Sequence, residues 1–141
     1  MHPEAIEFLG KNRVCVIAIE MPDGAPHAAT VHYAHTEGPT LVFETDRKYR
    51  KAEALFSRPV SRASVSVGFE EGPNSKTLQM DGEASLIEKD NSLIKDVLFA
   101  KFPEKLKKAE NPDAIFFKFK PTWWRYTDWS KPRGKTVYVS N

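Results

Sequence analysis

The chain has 141 residues, 40% of them apolar, and a formal net charge of +2, which fits one domain, residues 1–141, with a sizeable core. So small a net charge argues against a nucleic-acid binder, which needs a basic stripe over much of one face. A single cysteine, Cys15, excludes a disulfide framework or a thiolate metal cluster, and no apolar run approaches the ~20 residues of a membrane span.

Residues Pro3 to Gly10 predict a short helix with Ile6, Phe8 and Leu9 apolar, ended by Gly10. Arg13 to Glu20 is a strand rich in Val and Ile, with Cys15 as a small buried hydrophobe. Pro22-Asp23-Gly24 signals a turn, and His27 to Ala34 reads as the returning strand. After the turn Thr36-Glu37-Gly38-Pro39, Thr40 to Thr45 forms a third strand. His27, His32 and His35 lack a supporting carboxylate motif, so no metal site is assigned to them.

The third strand runs straight into a basic helix start. Thr45 or Asp46 serves as its N-cap, and Ala52, Leu55 and Phe56 continue it at helical spacing until Ser57, before Pro59. A helix start normally collects acids, because its free amides carry roughly half a positive charge. Here Arg47, Lys48, Arg50 and Lys51 add four cations to the positive end. An anion docked on amides and cations together makes the arrangement favourable, and a phosphate is the natural candidate. The competing reading is a solvated basic face paired with Glu53 or Asp46.

Arg62 to Phe69 alternates cleanly, with Ala63, Val65, Val67 and Phe69 on one face. Beyond the loop Glu70 to Ser75, Lys76 to Glu88 is the longest strand candidate, with Thr77 and Gln79 sharing its polar face. Gly82 in mid-strand predicts a bulge or a sharp bend. Asn91 to Phe102 is helical, and Pro103 to Glu110 continues as a Lys-rich helix; Lys101, Lys105, Lys107 and Lys108 read as its solvated face. Ala114 to Lys120 and Thr122 to Trp129 are two strands hinged at Pro121, and Lys135 to Ser140 adds an edge strand. Six or seven strands with helices only between some of them predict a mainly β fold. The expected form is a small antiparallel barrel with peripheral helices, and a two-sheet sandwich is the second choice.

This order of pieces resembles the pyridoxamine 5′-phosphate oxidase-like family, the FMN-binding split barrels. The resemblance rests on the hairpin Pro22 to His27, the strand end Phe43-Glu44-Thr45 and the segment Tyr49-Arg50-Lys51-Ala52. Ser57-Arg58-Pro59, the strand turning at Asp81-Gly82-Glu83-Ala84 and the closing Phe117 to Thr122 complete it. The resemblance implies FMN as cofactor, its phosphate held by Arg50 and Lys51 with help from the Thr45 hydroxyl. It implies that the backbone of Ala29, Thr30, Val31, His32 and Tyr33 lines the flavin, with Thr77 near the ring. Oxidase members carry a glutamine at that place, and Gln79 is the nearest here. It also implies a homodimer with the flavin at the subunit interface. Trp129 is a further candidate for the ring, with core or interface packing as its alternative.

The C-terminal stretch Thr127 to Arg133 lacks the histidine and arginine series that grips pyridoxal in the true oxidases, so vitamin B6 oxidation is not the expectation. A cytoplasmic, FMN-dependent oxidoreductase of unassigned substrate is. A binding module of the same fold, holding flavin or heme for storage or sensing, is the alternative from another class. An oxidoreductase using a deazaflavin coenzyme is a third. Heme would draw its axial ligand from His32 or His35. No catalytic acid or base is assigned.

Overall fold

The computed structural model describes residues 1–132 and 134–141. Helix α1 (Pro3–Lys11) opens the chain; His2 caps it by accepting from the Glu4 amide, and Ala5 and Leu9 bury its inner face. Strand β1 (Val14–Glu20) alternates half-buried and buried residues, so Cys15, Ile17 and Ile19 enter the core. Burial pushes the Cys15 thiol up to about 12, which leaves it inert as a nucleophile. The hairpin into β2 (Pro26–His32) is tied to the following helix by Arg58. Its guanidinium donates to the carbonyls of Glu20 and Met21 at 2.6 and 2.9 Å.

The predicted strand His27 to Ala34 divides at Tyr33. Strand β2 pairs with β1, whereas β3 (Ala34–His35) pairs with β4 (Leu41–Asp46). Tyr33 stands at the corner, fully buried, its amide donating to the Arg13 carbonyl and its hydroxyl to the Leu9 carbonyl at 2.7 Å. This corner dictates the architecture. The sheet order is β2-β1-β5-β6-β7-β4-β3, so one residue joins the two opposite edges and the sheet must curl upon itself. Strands β2 and β4 approach each other without a ladder between them, which makes the barrel split.

Helix α2 (Arg50–Ser57) plugs the barrel with Ala52, Ala54 and Leu55. Strands β5 (Ser61–Val67), β6 (Lys76–Ile87) and β7 (Ala114–Asp128) form the rest of the wall, and β8 (Thr136–Val139) pairs with the end of β7. The two strands expected on either side of Pro121 are one continuous strand. The ladder skips Thr122 opposite Asp81 and Gly82, so the bend is a β-bulge and not a break. A Cβ at Gly82 would stand 2.2 Å from the Lys120 carbonyl oxygen, and this close approach is why the position holds glycine.

One apolar cluster fills the barrel, including Ile17, Tyr33, Phe43, Val65, Met80 and Phe117. A second lies outside β4 and β7. There Ile94, Leu98, Phe99 and Phe102 from a π-helical turn (Ile94–Leu98) and a short helix α3 (Phe99–Lys101) cover Val42 and Phe116. A 3-10 helix (Pro103–Glu110) follows, and its face is not simply solvated. Lys105 is largely buried, 3.2 Å from the Glu44 carboxylate, and Lys101 lies over the Tyr33 ring. No helix among the described residues is long and apolar enough to cross a membrane.

Candidate functional site

The basic segment does not begin a helix at Thr45. Strand β4 continues through Asp46, the Asp46 carboxylate turns the chain by accepting from the Lys48 amide, and α2 starts only at Arg50 with no side-chain cap at Tyr49. The four cations therefore separate into two kinds. Arg47 and Lys48 lie in the turn, and both reach Asp113, at 4.0 and 2.9 Å. Arg50 and Lys51 occupy the first turn of α2 and make no ion pair among the described residues. Neither Glu53 nor Asp46 neutralises them.

Lys51 is only 7% exposed, its ammonium 4.8 Å from the Tyr49 ring centroid. Burial holds its pKa below the ordinary lysine value, against a smaller opposing pull from Glu44. Thr45 is 4% exposed, and its hydroxyl is buried without any hydrogen-bond partner. A buried polar atom left unsatisfied costs about 1–3 kcal/mol. An unsatisfied hydroxyl, a buried cation and an unpaired guanidinium at one strand-to-helix junction are what a phosphate would satisfy.

Strand β2 is the open edge next to this junction, since it touches both α2 and β4 but hydrogen-bonds only to β1. Ala28, Thr30 and His32 are exposed, and Ala29 and Val31 half-buried. An edge strand turns alternate amides and carbonyls away from its neighbour, so this backbone is available to a ligand. Tyr33 is the exception, because its amide and side chain are both engaged in the core. The His32 ring leans on Phe102 at 5.0 Å, and burial there, with Lys105 and Arg13 nearby, holds its pKa below the ordinary imidazole value.

Thr77, Gln79 and Trp129 lie elsewhere. Thr77 and Gln79 sit on β6, where Gln79 pairs with Ser66 and Arg125 on the outer face of the sheet. Three strand spacings separate β6 from β2, about 14 Å along the sheet. Trp129 follows β7, 45% exposed, and shares an apolar depression with Thr77 and Phe69. Within one chain the candidates thus form two groups, one at β2, β4 and α2 and the other at β6 and the end of β7.

A sequence profile described as pyridoxamine 5′-phosphate oxidase matches residues 1–128. The chain belongs to the pyridoxamine 5′-phosphate oxidase family. No protein of curated function matches it by sequence. Its fold is that of a conserved hypothetical protein from Mycobacterium tuberculosis, with TM-score 0.75, 20% identity, and coverage of 100% of this chain and 93% of the other. A heme-binding protein from Mycobacterium smegmatis superposes with TM-score 0.74 at 16% identity, over 99% of this chain and 59% of that one. The heme storage protein HutZ from Vibrio cholerae gives 0.68 at 20%, over 85% and 89%.

In this pyridoxamine 5′-phosphate oxidase family member, two site features escaped the sequence reading. Glu44 gathers Lys105 and Lys108, at 3.2 and 3.9 Å, and so holds the 3-10 helix over β4 beside the strand-to-helix junction. The alternation places Phe69 on one face with Ala63, Val65 and Val67, but the strand ends at Val67. Gly68 adopts φ +107, breaks the alternation, and leaves Phe69 61% exposed. Gly68 was the available signal.

Proposed function

We propose that this protein is an FMN-dependent oxidoreductase that works as a homodimer, with the phosphate on Thr45, Arg50 and Lys51 and the ring along Ala29 to His32. The observation that carries the reading is the Thr45 hydroxyl, buried without a partner at the junction where Arg50 and Lys51 make no ion pair among the described residues. The open edge of β2 supports it, because an uncovered edge is a liability until a ligand or a partner covers it. FMN, when bound, supplies the redox chemistry; the chain binds its phosphate, orients its ring and sets the polarity around it.

Arg50→Ala should weaken FMN binding by roughly tenfold or more through loss of one charged phosphate contact, with the fold intact because the residue is exposed. Lys48→Ala should matter much less, since Lys48 is committed to Asp113. Equal FMN affinity of the two variants in a fluorescence titration would refute this division of roles.

The two separated groups of candidates support the dimer reading. In a two-fold pair, one protomer's Thr77, Gln79 and Trp129 meet the ring carried on its partner's β2. Sedimentation of the FMN-loaded protein should give a species near twice the 16.0 kDa chain mass, and dilution to monomers should release the flavin. A monomer that retains FMN would rule out the shared site.

A second reading, heme in place of flavin, is supported by His32, an exposed imidazole tilted against Phe102 with a lowered pKa, which favours the neutral form an axial ligand requires. His35 suits that role less well, being half-buried with Nδ1 enclosed. The absorbance spectrum of the purified protein separates the two: flavin bands support the first reading, a Soret band the second.

A further inference from the structure

Most arginines among the described residues are held within the chain. Arg13 meets Glu104, Arg47 meets Asp113, Arg62 meets Glu20, and Arg58 donates to the carbonyls of Glu20 and Met21. Arg50 stands at the strand-to-helix junction, where the proposed phosphate satisfies it. Arg125 is left over. It makes no ion pair among the described residues, and its Nε–H is buried without a hydrogen-bond partner. An unmet donor on a charged group is among the costlier polar atoms a fold can enclose.

Strand β7 fixes where this donor stands. Trp124 and Tyr126 pack with the apolar cluster that fills the barrel, so Arg125 between them stands on the outer face. Its cross-strand neighbours are Gln79 on β6 and Val139 on β8, and Trp123 and Thr127 flank it along the same face of β7. None of these is an acid. Asp81, one step further along that face of β6, accepts from the Ser64 hydroxyl at 2.6 Å, on the side of β6 away from β7.

The missing group is a carboxylate. Nε and the Nη beside it form the guanidinium edge that grips a carboxylate through two parallel hydrogen bonds, and Nε is the atom without a partner. One guanidinium with no second cation among its neighbours balances a single negative charge, whereas a phosphate carries nearly two. A depression of about 370 Å³ on the same outer face gives the body of such a molecule room. Gln79 and Trp123, both neighbours of Arg125, line it, with Ser66 and Val16 further in. Asp81 lines it too, and its charge directs a carboxylate to the Arg125 end.

We infer that Arg125 is a carboxylate-binding residue and that the substrate of this protein is a carboxylic acid, held by Arg125 with its body in the depression beside Gln79. The inference deepens the flavin reading. It rests on that reading for one step, that Gln79 meets the partner's ring, which puts the bound acid beside the reacting centre.

Equilibrium dialysis of the flavin-free protein against benzoate and its neutral isostere benzamide tests the carboxylate site, and the absorbance of the FMN-loaded protein tests its place. Benzoate should bind at least tenfold more tightly than benzamide and should shift the flavin bands as it saturates. Arg125→Gln should weaken benzoate at least tenfold and leave benzamide unchanged. Arg125→Lys, which keeps the charge and loses the fork, should recover part of the loss. The Arg125→Gln protein should melt as the parent does and still prefer FMN to riboflavin, because Thr45, Arg50 and Lys51 are untouched. Equal binding of the two probes, or benzoate binding indifferent to Arg125→Gln, would overturn the inference, and so would benzoate bound with no change in the flavin bands. An Arg125→Gln protein that sediments as a monomer gives the guanidinium to an acid of the partner subunit, and one that loses FMN gives it to the flavin; either result overturns the substrate assignment. A parent protein that binds benzoate through Arg125 and takes up no FMN supports the carboxylate site and refutes the flavin reading.

Discussion

FMN should bind this chain at least ~100-fold more tightly than riboflavin, which differs from it only by the phosphate. Charge-assisted hydrogen bonds contribute roughly 1.5–3 kcal/mol each. Arg50 is exposed and belongs at or below the low end of that range, since water screens it. Lys51 is buried at 7% exposure, and without an anion its charge is opposed by burial, as the lowered pKa records. A phosphate removes that penalty and also gives the Thr45 hydroxyl its missing partner. Two such contacts amount to about 3 kcal/mol, which is somewhat more than a hundredfold in affinity. Fluorescence titration with the two ligands under identical salt measures the ratio, and equal affinities would remove the phosphate from this junction.

Elements with one face buried and local signals at their ends were legible in the sequence. The alternation of Ala63, Val65 and Val67 located β5, Gly82 announced the bulge, and the basic run located the strand-to-helix junction. What failed depended on residues distant in the chain. His27 to Ala34 reads as one strand because each residue in it suits an extended backbone. Only pairing with β1 on one side and β4 on the other divides it at Tyr33. Pro121 reads as a break, yet it sits at a bulge, where a strand tolerates proline. The helix start slid from Thr45 to Arg50 because β4 keeps pairing with β7 as far as Asp46 opposite Ala114. Which cations are neutralised was equally hidden, since Asp113 lies far along the chain, just before β7, and meets Arg47 and Lys48 only because β7 pairs with β4. Lys105 looked solvated for the same reason, its partner Glu44 lying on β4, before α2, the β5–β6 hairpin, the π-helical turn and α3.

Gly82→Ala should destabilise the protein by about 3 kcal/mol or more, lowering the melting temperature by roughly 10 °C. The added Cβ would lie 2.2 Å from the Lys120 carbonyl oxygen and 2.9 Å from the Pro121 Cα. Both are backbone atoms, so no side-chain rotation relieves the contact. Relief requires opening the bulge itself, and the bulge bends β6 and β7 together. On one side of the bulge β7 pairs with β4, on the other lie Thr77, Gln79 and the approach to Trp129, and β5 pairs with β6 on both sides of it. Gly38→Ala is the matched control: its Cβ would meet only the Thr36 hydroxyl at 3.8 Å, an ordinary contact, and its stability should change by less than about 0.5 kcal/mol. The bulge is remote from Thr45, Arg50 and Lys51, so whatever fraction of Gly82→Ala remains folded should still discriminate FMN from riboflavin. Thermal unfolding of the two variants with FMN absent checks the first claim. A Gly82→Ala protein as stable as the Gly38→Ala control would mean that Thr122, and not the close approach at Gly82, sets the bend.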